Sequence, residues 1–228
     1  MSLSRSRRIL LPLLLLAGAV MLAGCVSIDI DGESFGSGEE GSGDLVIEHR
    51  AVADFTAIHI SGALRTEVSL GPVDIEVEFD DNLLEKLSTT VSGGELTVSC
   101  RDCDQSSNAI IRVTTPDIDR IEVSGASRVT AEDVTGERLV IEVSGASRLE
   151  IDGSVRVLEI GGSGASRIDG ERLAAERLEI NLSGASRVDV EVTDRAEGNL
   201  SGASRLALTG DENPVVAIDV SGGSAVDR

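Results

Sequence analysis

The chain has 228 residues and a formal net charge of −20 at pH 7, from 40 acidic residues against 20 basic ones. A surface this acidic argues against nucleic acid and against anionic membrane patches as partners. There is no Trp or Tyr, and the three Phe, three Cys and two His give neither the aromatic faces of a sugar-processing groove nor ligands at zinc-site spacing, so no metal or other cofactor is expected.

At the N-terminus, Arg5, Arg7 and Arg8 precede an apolar run from Ile9 to Leu22. This run is short for a membrane span and fits the core of a secretory signal peptide. It closes on "LAGC", Leu22–Cys25, which resembles a bacterial lipobox. The resemblance implies a signal peptide over residues 1–24, acylation of Cys25 and a membrane partnership through that lipid. Ser27, rather than Asp, stands two places on, which by the same resemblance implies the outer membrane, on its periplasmic or its external side. The alternative is a plain cleaved signal with Cys25 incidental. Several acyl chains, at roughly 0.8 kcal/mol per buried CH₂, make a stable anchor. Residues 25–44, rich in Gly, Ser and Glu, predict a flexible tether, and 45–228 the folded domain. The "GSGEEG" in the tether is a formal dinucleotide fingerprint, but no strand precedes it, no helix follows, and its two glutamates repel phosphate.

The next eighty residues predict strands broken by turns. His59 falls in the outward slot of a strand, and solvation is its expected state. Asn82 to Leu87 predicts one helical turn with Asp81 as N-cap, its Leu83, Leu84 and Leu87 covering an open end or side of the stack that the later repeat implies. Cys100 and Cys103, in "CRDC", lie between the strand-like stretches "LTVS" and "NAIIRV". A thioredoxin-type motif would open a helix, so a short local disulfide is the expectation in an oxidising compartment.

From residue 121 onward the chain repeats. "SGAS" begins at Ser124, Ser144, Ser163, Ser183 and Ser201, with a worn copy at Ser221; the intervals are 20, 19, 20, 18 and 20. "SGALR" begins 63 residues before the first of these, at Ser61, a distance close to three further periods. Ile121, Ile141, Ile160 and Ile180 stand three places before the serine, and Val123, Val143 and Leu182 one place before it. That period of two marks strands with one buried face. Helical repeats need longer units and lack a glycine in every copy; leucine-rich spacing is absent. An all-β parallel β-helix, or solenoid, with coils of about 20 residues is predicted, the glycine of each copy turning the corner. Whether the Ala or the second Ser of the corner points inward stays open at this point.

Stacked coils put Arg128, Arg148, Arg167, Arg187 and Arg205 in a column, with Arg65 as an outlying member. Neighbouring cations about 5 Å apart in water cost on the order of 1 kcal/mol each. Glu150, Asp169 and Asp189, two places after three of these arginines, offer relief, as do Glu122 and Glu142, which come before two. A solvated, charge-paired ladder is one reading; a stripe that grips a protein or an anionic glycan is the other. The chain stops in "AVDR" without a second strand, so its last coil either packs on another copy, giving a homo-oligomer, or is blunted by Asp227 and Arg228.

The order of elements resembles that of the auto-transporter adhesin, head GIN domain family. Phe55, Ile58 and Ile60 precede Ser-Gly-Ala; strands follow at Val68 and at Asp74–Phe79; then come Asp81-Asn82-Leu83-Leu84, "GGELTV", Thr115-Pro116 and the SGAS series. The resemblance spans roughly residues 45–228 and implies a right-handed β-helical fold on envelope proteins. It supplies no binding residues, because here the corner is more basic and the rest more acidic than the family's usual SGSG-type copies. Catalysis is not expected: no pair of carboxylates stands apart from its repeat equivalents, "GGSGAS" sits in a corner rather than a nucleophile elbow, and no calcium-loop spacing occurs. A passive binding or adhesive module, or a structural envelope scaffold, is what the sequence leaves.

Overall fold

The computed structural model describes residues 38–106, 108–210 and 213–228. Cys25, the signal segment and the first part of the predicted tether lie outside the described residues. The first half carries β1 (Glu39–Glu40), β2 (Leu45–His49), β3 (Ala57–Ser61), β4 (Arg65–Leu70), β5 (Asp74–Asp80), β6 (Leu87–Ser92), β7 (Glu95–Cys100), β8 (Cys103–Asp104) and β9 (Ile110–Thr115). The repeat follows as β10 (Arg120–Val123), β11 (Arg128–Val143), β12 (Arg148–Gly162), β13 (Arg167–Leu182), β14 (Arg187–Leu200), β15 (Arg205–Thr209), β16 (Val215–Val220) and β17 (Ala225–Asp227).

Each of β11 to β14 runs from one corner to the next, so one strand is one coil. Successive coils pair in parallel and in register, Ile141 against Ile160, Ile160 against Ile180, Val129 against Leu149. This is the predicted parallel β-solenoid. Inward residues stack on their equivalents: Ile58, Ile121, Ile141, Ile160 and Ile180 form one buried column, and Val129, Leu149, Ile168, Val188 and Leu206 another. Each fully buried side chain of this size contributes about 1.5–3 kcal/mol. In a third column, Val123, Val143, Gly162 and Leu182, the neighbour fills the gap where a side chain is missing. A Cβ on Gly162 would lie 2.6 Å from Leu182 Cδ2, so the larger side chain of the next coil occupies the space that glycine leaves.

Ser61 does not stand three coils before Ser124. Arg65–Val68 of β4 pairs directly with Arg128–Ala131 of β11, and Ala57–Ile60 of β3 with β10. The 63-residue interval is therefore a single step of the stack with an excursion built into it. One wall continues from β3 to β7 in parallel and ends on antiparallel β6. The other continues from β4 to β9 in parallel and ends on antiparallel β5 and β2. Seven corners result, from Gly62 to Gly222, and six steps of about 4.8 Å make a stack of roughly 29 Å. Among the described residues no helix is long and apolar enough to cross a membrane.

The helical turn is shorter than predicted and starts earlier. It is one 3-10 turn, Asp81–Leu83, preceded by Asp80, whose side chain makes no capping bond. Leu83 and Leu87 are buried and Leu84 half-buried, so the leucines join the core as expected. Residues 38–44, read from composition as the end of the tether, are engaged. The Glu39 amide donates to Asp102 O at 2.8 Å, the Gly41 amide to Asp104 O at 2.8 Å, and Lys86 pairs with Glu39 at 2.7 Å.

Asp80 ties these parts together. Its buried carboxylate accepts the Ser106 amide at 2.8 Å, the Gly43 amide at 2.9 Å, and the Ser106 hydroxyl. Burial opposes its ionisation, but the Ser106 and Gly43 bonds outweigh that cost and hold its pKa below the ordinary 3.8. A carboxylate whose pKa is depressed by folding stabilises the fold fully above its unfolded pKa. That contribution is lost as pH falls through the folded value. Asp80→Asn is expected to lower stability by about 1–3 kcal/mol at pH 7, because one acceptor oxygen becomes a donor facing donors. In urea melts the gap between wild type and variant should shrink below pH 3.8. A gap that stays constant down to pH 2.5 would refute the assignment.

Candidate functional site

Each corner is built by backbone hydrogen bonds along the stack. The alanine amide donates to the glycine carbonyl of the previous coil: Ala126 to Gly62 at 2.6 Å, Ala146 to Gly125 at 2.8 Å, Ala165 to Gly145 at 2.8 Å, Ala185 to Gly164 and Ala203 to Gly184 at 2.7 Å. The corner glycines take φ between 71° and 108°, the left-handed region, and their Cα hydrogens face the carbonyl below. The question the sequence left open is decided by this kink. The alanine points to solvent; Ser127, Ser147, Ser166, Ser186 and Ser204 point inward and are buried. The Ser166 hydroxyl donates to Ser186 Oγ at 3.1 Å, and the Ser186 and Ser204 hydroxyls return to the first serine's carbonyl of their own corners at 2.8 Å. In the first corner Leu64 takes the inward place.

With the serine inward, the next residue points out. Arg65, Arg128, Arg148, Arg167, Arg187 and Arg205 stand in register on six consecutive coils, and Ala225 ends the column. Their charge balance is uneven. Asp189 is buried and accepts Arg187 Nε at 3.0 Å and Nη2 at 3.0 Å, with Arg167 at 3.5 Å. These hydrogen bonds, and then the charge of Asp189, raise the pKa of Arg187. Asp169 pairs with Arg148 at 3.2 Å and Arg167 at 3.3 Å, and Asp227 with Arg205 at 3.4 Å. Asp169 and Asp189 thus serve the column. Glu122 and Glu142 do not: they stand before the corner, on another wall, and meet Arg120 at 3.5 Å and 3.1 Å. Glu150 makes no ion pair among the described residues, and neither does Arg128.

Asp169, Glu171 and Asp189 place one oxygen each within 4.8 Å of one another. Arginines already occupy two of the three, so the cluster reads as part of the column rather than as a cation site. His59 is less solvated than expected, with Nε2 3.4 Å from Ser124 Oγ and 3.8 Å from Glu122. His49 lies on a different strand, exposed beside Asp74 at 3.2 Å. The two histidines are not brought together. Cys100 and Cys103 are joined by a disulfide, with Cα atoms 5.8 Å apart. The Cys100 carbonyl lies where the next corner would be, 3.0 Å from a Cβ built on Gly62, so this loop sits on the N-terminal end of the glycine column.

Beside that loop is a concavity of about 280 Å³, lined by Arg65, Arg128, Arg148, Gln105, Ala126 and Ser127 among others. Periodicity predicted the arginine column. It did not predict the concavity, because the loop that walls it belongs to the excursion and not to the repeat.

A parallel β-solenoid that carries one charged residue per coil in a single exposed column is a repeat surface, held rigid by its backbone ladders. The chain belongs to the family described as "Putative auto-transporter adhesin, head GIN domain", whose model matches residues 54–212. Its fold is shared with a solved "putative adhesin (BF0245)" from Bacteroides fragilis, 16% identical, covering 83% of this chain and 99% of that one at a TM-score of 0.69. A "putative adhesin" from Parabacteroides merdae is 17% identical, with 84% and 99% coverage and a TM-score of 0.54. A "Putative lipid binding protein" from Parabacteroides distasonis is 16% identical, with 83% and 98% coverage and a TM-score of 0.53. No curated protein matches.

Proposed function

We propose that this is a non-catalytic, adhesin-like binding module of the bacterial envelope, held at the outer membrane by a lipid on Cys25. Its contact surface is the column Arg128, Arg148, Arg167, Arg187 and Arg205. The observation that carries the reading is the register: five guanidinium groups at one coil spacing, on a backbone whose corners are fixed by hydrogen bonds and cannot rearrange independently. Preorganised charge loses little entropy on binding. The family and its neighbours named as adhesins support a binding role, and the lipobox supports the anchor.

Three measurements test it. The full chain expressed in a Gram-negative host should incorporate labelled palmitate, and Cys25→Ala should abolish the label. Protease added to intact cells should remove the domain if it binds partners outside, whereas full protection would favour a periplasmic scaffold. In pull-downs from solubilised native envelope, replacing Arg148, Arg167 and Arg187 together by Gln should reduce the recovered partner at least tenfold. Recovery that is independent of these arginines would reject the column as the contact surface.

A further inference from the structure

We propose that the concavity at the N-terminal end of the column is a site for a phosphate monoester group. The inference rests on the binding reading and locates a ligand group within it. Two observations converge there.

The first is unbalanced charge. Going along the register, the position two places after each arginine is Glu67, Thr130, Glu150, Asp169, Asp189 and Ala207. At the level of Arg128 the acid is replaced by a threonine, and Arg128 meets no carboxylate within ion-pair distance among the described residues. Arg65 reaches only Glu67, at 4.0 Å, and Glu67 is also engaged by Arg112 at 3.5 Å. Deeper in the column Asp169 holds both Arg148 and Arg167, and Asp189 holds Arg187. Arg205, at the far end, is met by Asp227 at 3.4 Å, so in a protein of net charge −20 Arg128 is the one arginine of the column that no carboxylate meets among the described residues.

The second is shape. The walling loop is anchored: Gln105 Nε2 donates to the Ala63 carbonyl, and Ser106 is fixed by Asp80. The exposed corner residues Ala126 and Ala146 carry no side chain beyond Cβ and leave the floor open between the arginines.

Arginine forks bind phosphate oxygens through paired, charge-assisted hydrogen bonds. Unpaired Arg128, with Arg65 and Arg148 turning to it from solvent-exposed ion pairs, suits a group of charge near −2, which a phosphate monoester carries close to neutral pH. A carboxylate would satisfy one of them. With no aromatic side chain in the wall, the ligand is held by charge rather than by stacking. About 280 Å³ lies just under the usual range for a whole small-molecule pocket. The site therefore takes the charged end of a ligand whose remainder lies outside, as in a phosphorylated sugar of the cell envelope.

The test uses the full-length acylated protein in non-ionic detergent, titrated at low salt with inorganic phosphate, with a hexose 1-phosphate, and with a hexuronate as the monoanionic control. Saturable binding is expected for both phosphates, the sugar phosphate at least as tight as inorganic phosphate and the hexuronate at least tenfold weaker. Affinity should fall as salt rises. Arg128→Gln should weaken phosphate binding at least tenfold with an unchanged thermal midpoint, and Arg177→Gln, exposed and outside the column, should leave it unaltered. Absence of saturable phosphate binding, indifference to Arg128→Gln, or binding of inorganic phosphate but not of the sugar phosphate would each overturn the proposal. An envelope partner still recovered in pull-downs by a protein that binds no phosphate would retire this site and leave the binding reading standing. Phosphate binding without any envelope partner would do the reverse.

Discussion

Gly145→Ala is expected to destabilise the fold by roughly 2–6 kcal/mol, lowering the thermal midpoint by at least about 5 °C. Two costs combine. Gly145 has φ of 73°, a conformation that costs a side chain about 1–3 kcal/mol. A Cβ there would also lie 2.4 Å from the Gly125 carbonyl oxygen, so the two coils must separate. That oxygen accepts the Ala146 amide at 2.8 Å, and the separation strains the same bond. Gly93→Ala isolates the backbone term. Gly93 has φ of 62°, but nothing lies within 4 Å of its built Cβ, so only the conformational cost applies. Chemical denaturation of both variants checks the argument. Equal losses for Gly93→Ala and Gly145→Ala would mean that close stacking at the corners contributes nothing.

The same corner explains what the sequence disclosed. A coil of about 20 residues recurring in register leaves its period, its inward columns and its glycines in plain view. Which corner residue turns inward was not legible, because a single residue at positive φ resets the alternation, and only the kinked backbone decides that Ser147 enters and Ala146 leaves. The excursion between β4 and β10 hides in the sequence for a different reason. Parallel and antiparallel strands share the same period of two, and 63 residues happened to match three coils. The signal that separates them was present in the Gly93-Gly94 pair, whose two residues at positive φ permit a tight reversal between β6 and β7 and no crossover. The arginine column followed from the repeat. Its partners did not follow wholly, since sequence distance from Arg148 to Glu142 says nothing of the corner between them. The concavity was out of reach because Gln105 and Ser106 arrive from outside the repeat.

Ile141→Ala is expected to cost about 2–5 kcal/mol, and Ile218→Ala, in the same inward column, less than about 1 kcal/mol. Ile141 is fully buried between Ile121 and Ile160, so truncation leaves a cavity that neither neighbouring coil can collapse into without breaking its own ladder. Ile218 belongs to the last coil. It is only partly buried, and the register places Gly198, which has no side chain, as its one neighbour in the column. Val215 and Val220 on the same strand are 57% and 47% exposed. In a solenoid each coil draws stability from its neighbours, so a coil with one neighbour is held by half as many contacts and opens first. Amide exchange should therefore be fastest in Val215–Val220 and slowest in β11 to β13, with the N-terminal end protected by its antiparallel strands. If Ile218→Ala costs as much as Ile141→Ala, and the last coil exchanges as slowly as the centre, then that coil is covered in solution and the stack does not end where Ala225 ends the arginine column.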